Sequence, residues 1–182
     1  SRYMGFLPRE TPAVDNVENL GLPDDYILVT AGGGGDGAEL MSMVLAAREY
    51  DPSFKTHLVL VPGPFMAADK RSEVHQRASA LDGVTVIDFT NAMGSWIANA
   101  RGVVGMCGYN TFCEIMSFDI PALFVPRTHP REEQLIRATR AHELGIATTL
   151  DSDRASDPAV MAASLQDLTS QKKPSSSDFK ID

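Results

Sequence analysis

The chain has 182 residues, 43 % of them hydrophobic and 22 % charged, with a formal net charge of −8. This is the composition of an ordinary globular domain, long enough for one sizeable core with or without tails. The negative balance argues against nonspecific nucleic-acid binding, which rests on a basic surface, but leaves room for a small anionic ligand at a locally positive site.

In chain order, residues 1–25 carry three prolines and no sustained periodicity, and read as an interdomain connector. Residues 26–31 (YILVTA) are nearly all apolar, as expected of a strand buried on both faces. Four glycines follow. Leu40, Met43, Val44 and Ala47 then recur at helical spacing, with Glu39, Arg48 and Glu49 off that stripe. The pattern of strand, turn and helix repeats. Strands are predicted at 56–61, 84–87, 102–106 and 122–125, with an edge strand at 147–150. Helices are predicted at 67–81, 91–99, 111–117, 131–144 and 158–168, the fourth ending at Gly145, where a glycine cap belongs. The tail 170–182 is polar and serine-rich, and is expected to be disordered.

Strands alternating with helices predict an α/β fold, a Rossmann-like parallel sheet with helices on both faces, over residues 26–169. Ligands of such sheets bind at the carboxyl ends of the strands. The loops to inspect are therefore 32–37, 62–66, 88–91, 107–111 and 126–131. Cys107 and Cys113 have neither metal-ligand nor C-x-x-C spacing and read as reduced thiols of a cytosolic protein. No apolar run reaches bilayer length and no signal peptide opens the chain. Because the sequence starts at Ser1 and not Met, it is expected to be a fragment of something longer.

Gly32, Gly33, Gly34 and Gly35 sit between a strand and a helix. Bare backbone N–H groups there approach a phosphate closely, and the helix start adds partial positive charge. The bland alternative is a loose turn. The spacing is not that of a nucleoside-triphosphatase loop, and the G-x-G-x-x-G match is an accident of the run. Asp36 is awkward for an anion site and reads as the helix N-cap. Glu133 and Arg137 read as a surface ion pair four residues apart.

The stretch GVVGMCGYNTFCEIMSFDIPALFVPRTHPREEQLIRATRAHELGIA, residues 102–147, resembles the donor-binding signature of GT-B glycosyltransferases, which have two facing Rossmann-like domains. Family 28 enzymes are the most similar, typified by the one that adds N-acetylglucosamine to lipid-linked muramyl peptide. The form GYNTFCEIMSFDIPALFVPR looks like an uncharacterised bacterial branch, and GFLPR at 5–9 resembles that branch's connector. The resemblance covers about residues 26–150 and is more specific for the family than for the sugar.

It implies the C-terminal, donor-binding half of a hexosyltransferase. The donor is a nucleoside diphosphate sugar, with uridine the family's commonest base; no metal or other cofactor is implied. The diphosphate falls to Gly32–Gly35 and to Gly108, Tyr109, Asn110 and Thr111, with Arg127 or Arg131 as further cations. The ribose falls to Glu114, although Thr111-x-x-Glu114 also reads as a plain capping box. The base falls to Phe89, Thr90 and Met93, of which Phe89 and Met93 read equally well as core. The donor sugar falls to His129, Glu133 and Gln134, where the family often has two glutamines. A lone loop histidine is more often incidental.

The resemblance places the catalytic base and most acceptor contacts on an N-terminal domain, in cis or on a partner chain, so this chain alone is expected to be inactive. It also implies a cytoplasmic protein, with peripheral membrane contact through that other domain. Three alternatives stay open: a stand-alone subunit pairing with another chain, a non-catalytic nucleotide-sugar sensor, and half of a sugar-nucleotide epimerase.

Overall fold

The computed structural model describes residues 21–32, 35–127, 129 and 132–177. Most of the predicted connector, Gly33, Gly34, Arg131 and the last five residues lie outside them. The strands are β1 (Tyr26–Thr30), β2 (His57–Val61), β3 (Val84–Val86), β4 (Gly102–Gly105), β5 (Ala122–Phe124) and β6 (Thr148–Thr149). The helices are α1 (Ala38–Tyr50), α2 (Ala68–Ser79), α3 (Met93–Asn99), α4 (Tyr109–Ser117), α5 (Glu133–Glu143), α6 (Ser152–Ala155) and α7 (Pro158–Leu168). The strands form one six-stranded sheet, ordered β3-β2-β1-β4-β5-β6, in which every pairing is parallel.

The apolar runs have the reason expected of them. Ile27 and Val29 point into a core with Leu40, Met41, Val44, Val74, Met161 and Leu165. Tyr26 and Leu28 point into a second core with Trp96, Ile97, Ile115, Ala138 and Ala141. A strand covered on both faces has no polar side to alternate with. Helices α1, α2 and α7 cover one face, and α3, α4 and α5 the other.

Three local expectations change. Arg48 is buried, at 4 % exposure. Its guanidinium donates to the carbonyls of Thr56 (2.5 Å) and Asp82 (3.1 Å) and lies 5.2 Å from the Phe54 ring centroid. Short α6 carried no legible periodicity. Residues 171–177, expected in a disordered tail, are tied down. Gln171 donates to the Ala122 carbonyl (3.0 Å), and Asp119 accepts from the Ser175 amide (2.8 Å) and hydroxyl (2.7 Å). Pro174 is buried in a 3-10 turn between them. The glycine cap is as predicted: Gly145 has φ +69 and its amide donates to the His142 carbonyl.

Burial leaves a titration signature. Tyr26 is fully buried and donates to the Trp96 carbonyl at 2.6 Å, and burial pushes its phenol up to about 12. Burial pushes the Cys107 thiol up to about 12 as well. A folded pKa above the unfolded one gives stability that is complete below the unfolded value and lost as pH rises toward the folded value. Denaturant melts are therefore expected to be level to about pH 8, where the thiol of the unfolded chain begins to ionise, and to fall steeply above about pH 10, where the phenol joins it. Tyr26→Phe should make that alkaline fall shallower, even if losing the hydrogen bond lowers stability throughout.

Candidate functional site

The strand order reverses between β1 and β4, so the connections leaving these neighbours go to opposite faces and open a crevice at their carboxyl ends. A cavity of about 260 Å3 lies there. Thr30, Ala31, Gly32 and Asp36 line it from the β1 side, and Met106 and Gly108–Thr111 from the β4 side, with Arg127 and Gln134 completing the wall. Residues about 70 to 80 apart in sequence meet because both loops leave adjacent strands at the same end.

The described residues of the glycine loop make internal contacts. Gly32 takes φ +72 and its amide donates to Thr30 Oγ1 at 3.2 Å. A methyl group on Gly35 would sit 3.2 Å from the Phe65 carbonyl oxygen. One on Gly37 would sit 2.0 Å from Ala31 Cβ, so α1 starts hard against the end of β1. Gly37, not Asp36, is the cap residue of α1, and it makes no side-chain cap bond. Asp36 instead pairs with Arg127. Among the described residues of the turn, Gly35 and Gly37 are therefore tightly packed.

Helix α4 begins two residues earlier than predicted. Its cap residue is Gly108, at φ −60 and ψ 147, and Thr111 is the third helical residue. A capping box needs its hydroxyl at the cap position. Thr111 and Glu114 are therefore not a capping box. Cys107, just before, holds φ +64, an uncommon conformation for a residue with a side chain. Its carbonyl accepts from Arg137 Nη1 at 2.5 Å, and the Arg137 guanidinium lies 5.5 Å from the Tyr109 ring centroid. Arg137 thus braces the loop before α4 and is not given over to the predicted pair with Glu133.

The sugar-loop candidates divide. Gln134 lines the cavity, and its Oε1 accepts from the Arg127 amide at 3.1 Å. His129 lines a second cavity of about 290 Å3 that shares Asp36, Met106 and Arg127 with the first and adds Glu39, Leu40 and Met43. Glu133 is exposed on the first turn of α5.

The base-loop candidates sit away from the cavity, at the carboxyl end of β3, two strands from β1. Phe89 is 68 % exposed. The Thr90 hydroxyl accepts from the Ala92 amide at 3.0 Å, and Met93 packs half-buried on the second core. Asp88, before them, bonds His75 Nε2 (2.8 Å) and accepts from Arg71 Nη1 (3.0 Å), and the His75 bond first, then Arg71, holds its carboxyl below the usual carboxylate range. Arg71 also donates to the Gly63 carbonyl at 2.7 Å, joining the loops after β2 and β3. No local sequence signal pointed to Arg71 or to the Asp36–Arg127 pair.

Among the described residues there is no group of three or more His, Cys, Asp or Glu side chains arranged to hold a metal. No helix among them is long and apolar enough to cross a membrane.

Comparison with known proteins gives consistent relatives. One is the UDP-N-acetylglucosamine–N-acetylmuramyl-(pentapeptide) pyrophosphoryl-undecaprenol N-acetylglucosamine transferase of Thermotoga maritima. It is 24 % identical over 133 residues, which cover 72 % of this chain and 36 % of that protein. The present chain thus spans little more than a third of that relative. The crystal structure of Acinetobacter baumannii MurG superposes with a TM-score of 0.66 at 17 % identity, covering 83 % of this chain and 42 % of that one. The UDP-GlcNAc 2-epimerase of Methanocaldococcus jannaschii, solved with UDP-GlcNAc and UDP, gives 0.59 at 12 % identity, over 82 % of this chain and 40 % of the other. At such identities the structural likenesses establish the fold, one half of a GT-B architecture. Residues 26–180, nearly the whole described domain, match the sequence model of the glycosyltransferase family 28 C-terminal domain, and the chain belongs to that family.

Proposed function

We propose that this chain is the donor-binding half of a glycosyltransferase, taking a nucleoside diphosphate sugar, in the first place a uridine one. The acceptor and the catalytic base then belong to an N-terminal domain, in cis or on a partner chain. The observation that carries this reading is the cavity at the β1–β4 switch point, walled by the glycine turn on one side and the start of α4 on the other. A leaving diphosphate needs positive potential where charge develops as the sugar bond breaks. Backbone amides at a helix start supply it without a bound metal.

In this reading Gly32–Gly35 and Gly108–Thr111 hold the diphosphate and Glu114 the ribose diol, while Gln134, with Glu133 and His129, faces the sugar. Phe89, Thr90 and Met93 close over the base from the end of β3. The distance of that loop from the cavity suits a ligand with its phosphates at the switch point and its base over the β3 side. The full-length protein would work on the cytoplasmic side of the membrane, touching it through the other domain.

The test is calorimetry of this chain with UDP, TDP and GDP. Weak binding is expected, with a Kd on the order of 0.1–1 mM for the preferred base, unchanged by a chelator. No heat from any of the three at millimolar concentration overturns the reading. If the full-length protein interconverts UDP-sugars without an acceptor, the epimerase alternative replaces the transferase.

A further inference from the structure

We propose that the Asp36–Arg127 ion pair is a latch between the two adjoining cavities, opened when the terminal phosphate of a nucleoside diphosphate takes Arg127 from Asp36. The inference rests on the donor reading above and assigns Asp36 a role in it.

Asp36 ends the glycine turn after β1, and Arg127 follows β5, so their side chains reach over the carboxyl end of β4 to meet. Both line the switch-point cavity and the second cavity beside it, so the pair is the partition between the two. Arg127 is anchored through its backbone, whose amide donates to Gln134. Its guanidinium is held more loosely: Nη1 goes to Asp36, while buried Nε has no hydrogen-bond partner among the described residues. A buried N–H without an acceptor is a standing cost that a new acceptor would relieve.

A carboxylate is a poor resident of an anion site, because it repels the ligand. Here its negative charge is matched by the arginine, and the two side chains are 53 % and 33 % exposed. Such a pair contributes little to stability, so breaking it costs little. A phosphate accepts from arginine at two oxygens and carries more charge than one carboxylate, so a diphosphate competes well for the same guanidinium. The attraction grows as the sugar bond breaks and charge collects on the terminal phosphate. Asp36 keeps Arg127 beside the cradle, and out of it, until that ligand arrives.

The sign of one substitution tests this. Asp36→Asn should strengthen UDP binding by about two- to fivefold, the scale of releasing a partly exposed pair. Asp36→Ser should do the same. In an Arg127→Gln background the gain should disappear, because there is no guanidinium to release. Weaker or unchanged binding by both Asp36 variants overturns the latch. An equal gain with and without Arg127 also overturns it, leaving simple repulsion by Asp36. If UDP binds neither the wild type nor any variant, the donor reading itself fails, which is a different result.

Discussion

Gly37→Ala is expected to destabilise the domain by about 1–3 kcal/mol, the usual cost of forcing a methyl group into filled space. In a chain of this size that lowers the melting temperature by roughly 2–12 °C. The cause is not conformational freedom, since Gly37 has φ −76 and ψ −8, which any residue adopts. The cause is Ala31, whose Cβ lies 2.0 Å from where the new methyl group would stand, with Cα at 3.3 Å. Neither atom is the end of a flexible side chain, so α1 must back away from β1. Because the glycine turn joins them, nucleotide affinity should fall too. Ala31→Gly opens the same space from the other side. The double variant should therefore recover most of the lost stability, measured by thermal or urea melts. A double variant no better than Gly37→Ala would mean that this contact is not the reason for the glycine.

Glu114→Gln is expected to weaken nucleoside diphosphate binding by about 1–3 kcal/mol, roughly 5- to 150-fold, the loss of charge on a hydrogen-bonded partner of the ribose. The helix itself should not resist the change. Glutamate and glutamine have similar helix propensities, and Glu114 lies in the body of α4, past the cap at Gly108. Titration calorimetry beside a melting curve separates the two effects. Normal affinity in a normally folded variant would remove Glu114 from the ribose.

These two positions show how differently the sequence speaks. The resemblance in residues 108–127 pointed to Glu114 but left it in competition with a capping box. Only the helix start at Tyr109 removed that competitor, and element boundaries are where sequence patterns are weakest. The glycine run posed the question of slack against close approach. The atoms approached at the described glycines are the protein's own: Ala31 at Gly37, Phe65 at Gly35 and Thr30 at Gly32.

The sequence by itself determined the parallel α/β class, because runs such as Tyr26–Thr30 and His57–Val61 have no polar face and must be covered on both sides. It also determined the stop of α5 at Gly145, where only a short-range rule operates, and the set of loops worth inspecting. The tertiary structure decided the rest. Strand order places β1 beside β4 and so creates the crevice. It brings Arg127 to Asp36, 91 residues away, and turns Arg137 to the Cys107 carbonyl instead of Glu133. It buries Arg48 between two carbonyls and pins residues 171–177 across Asp119 and Ala122. The physical reason is range. Periodicity and capping are set by neighbours within a turn or two, whereas the partner of a charge is whatever the packed sheet puts opposite it.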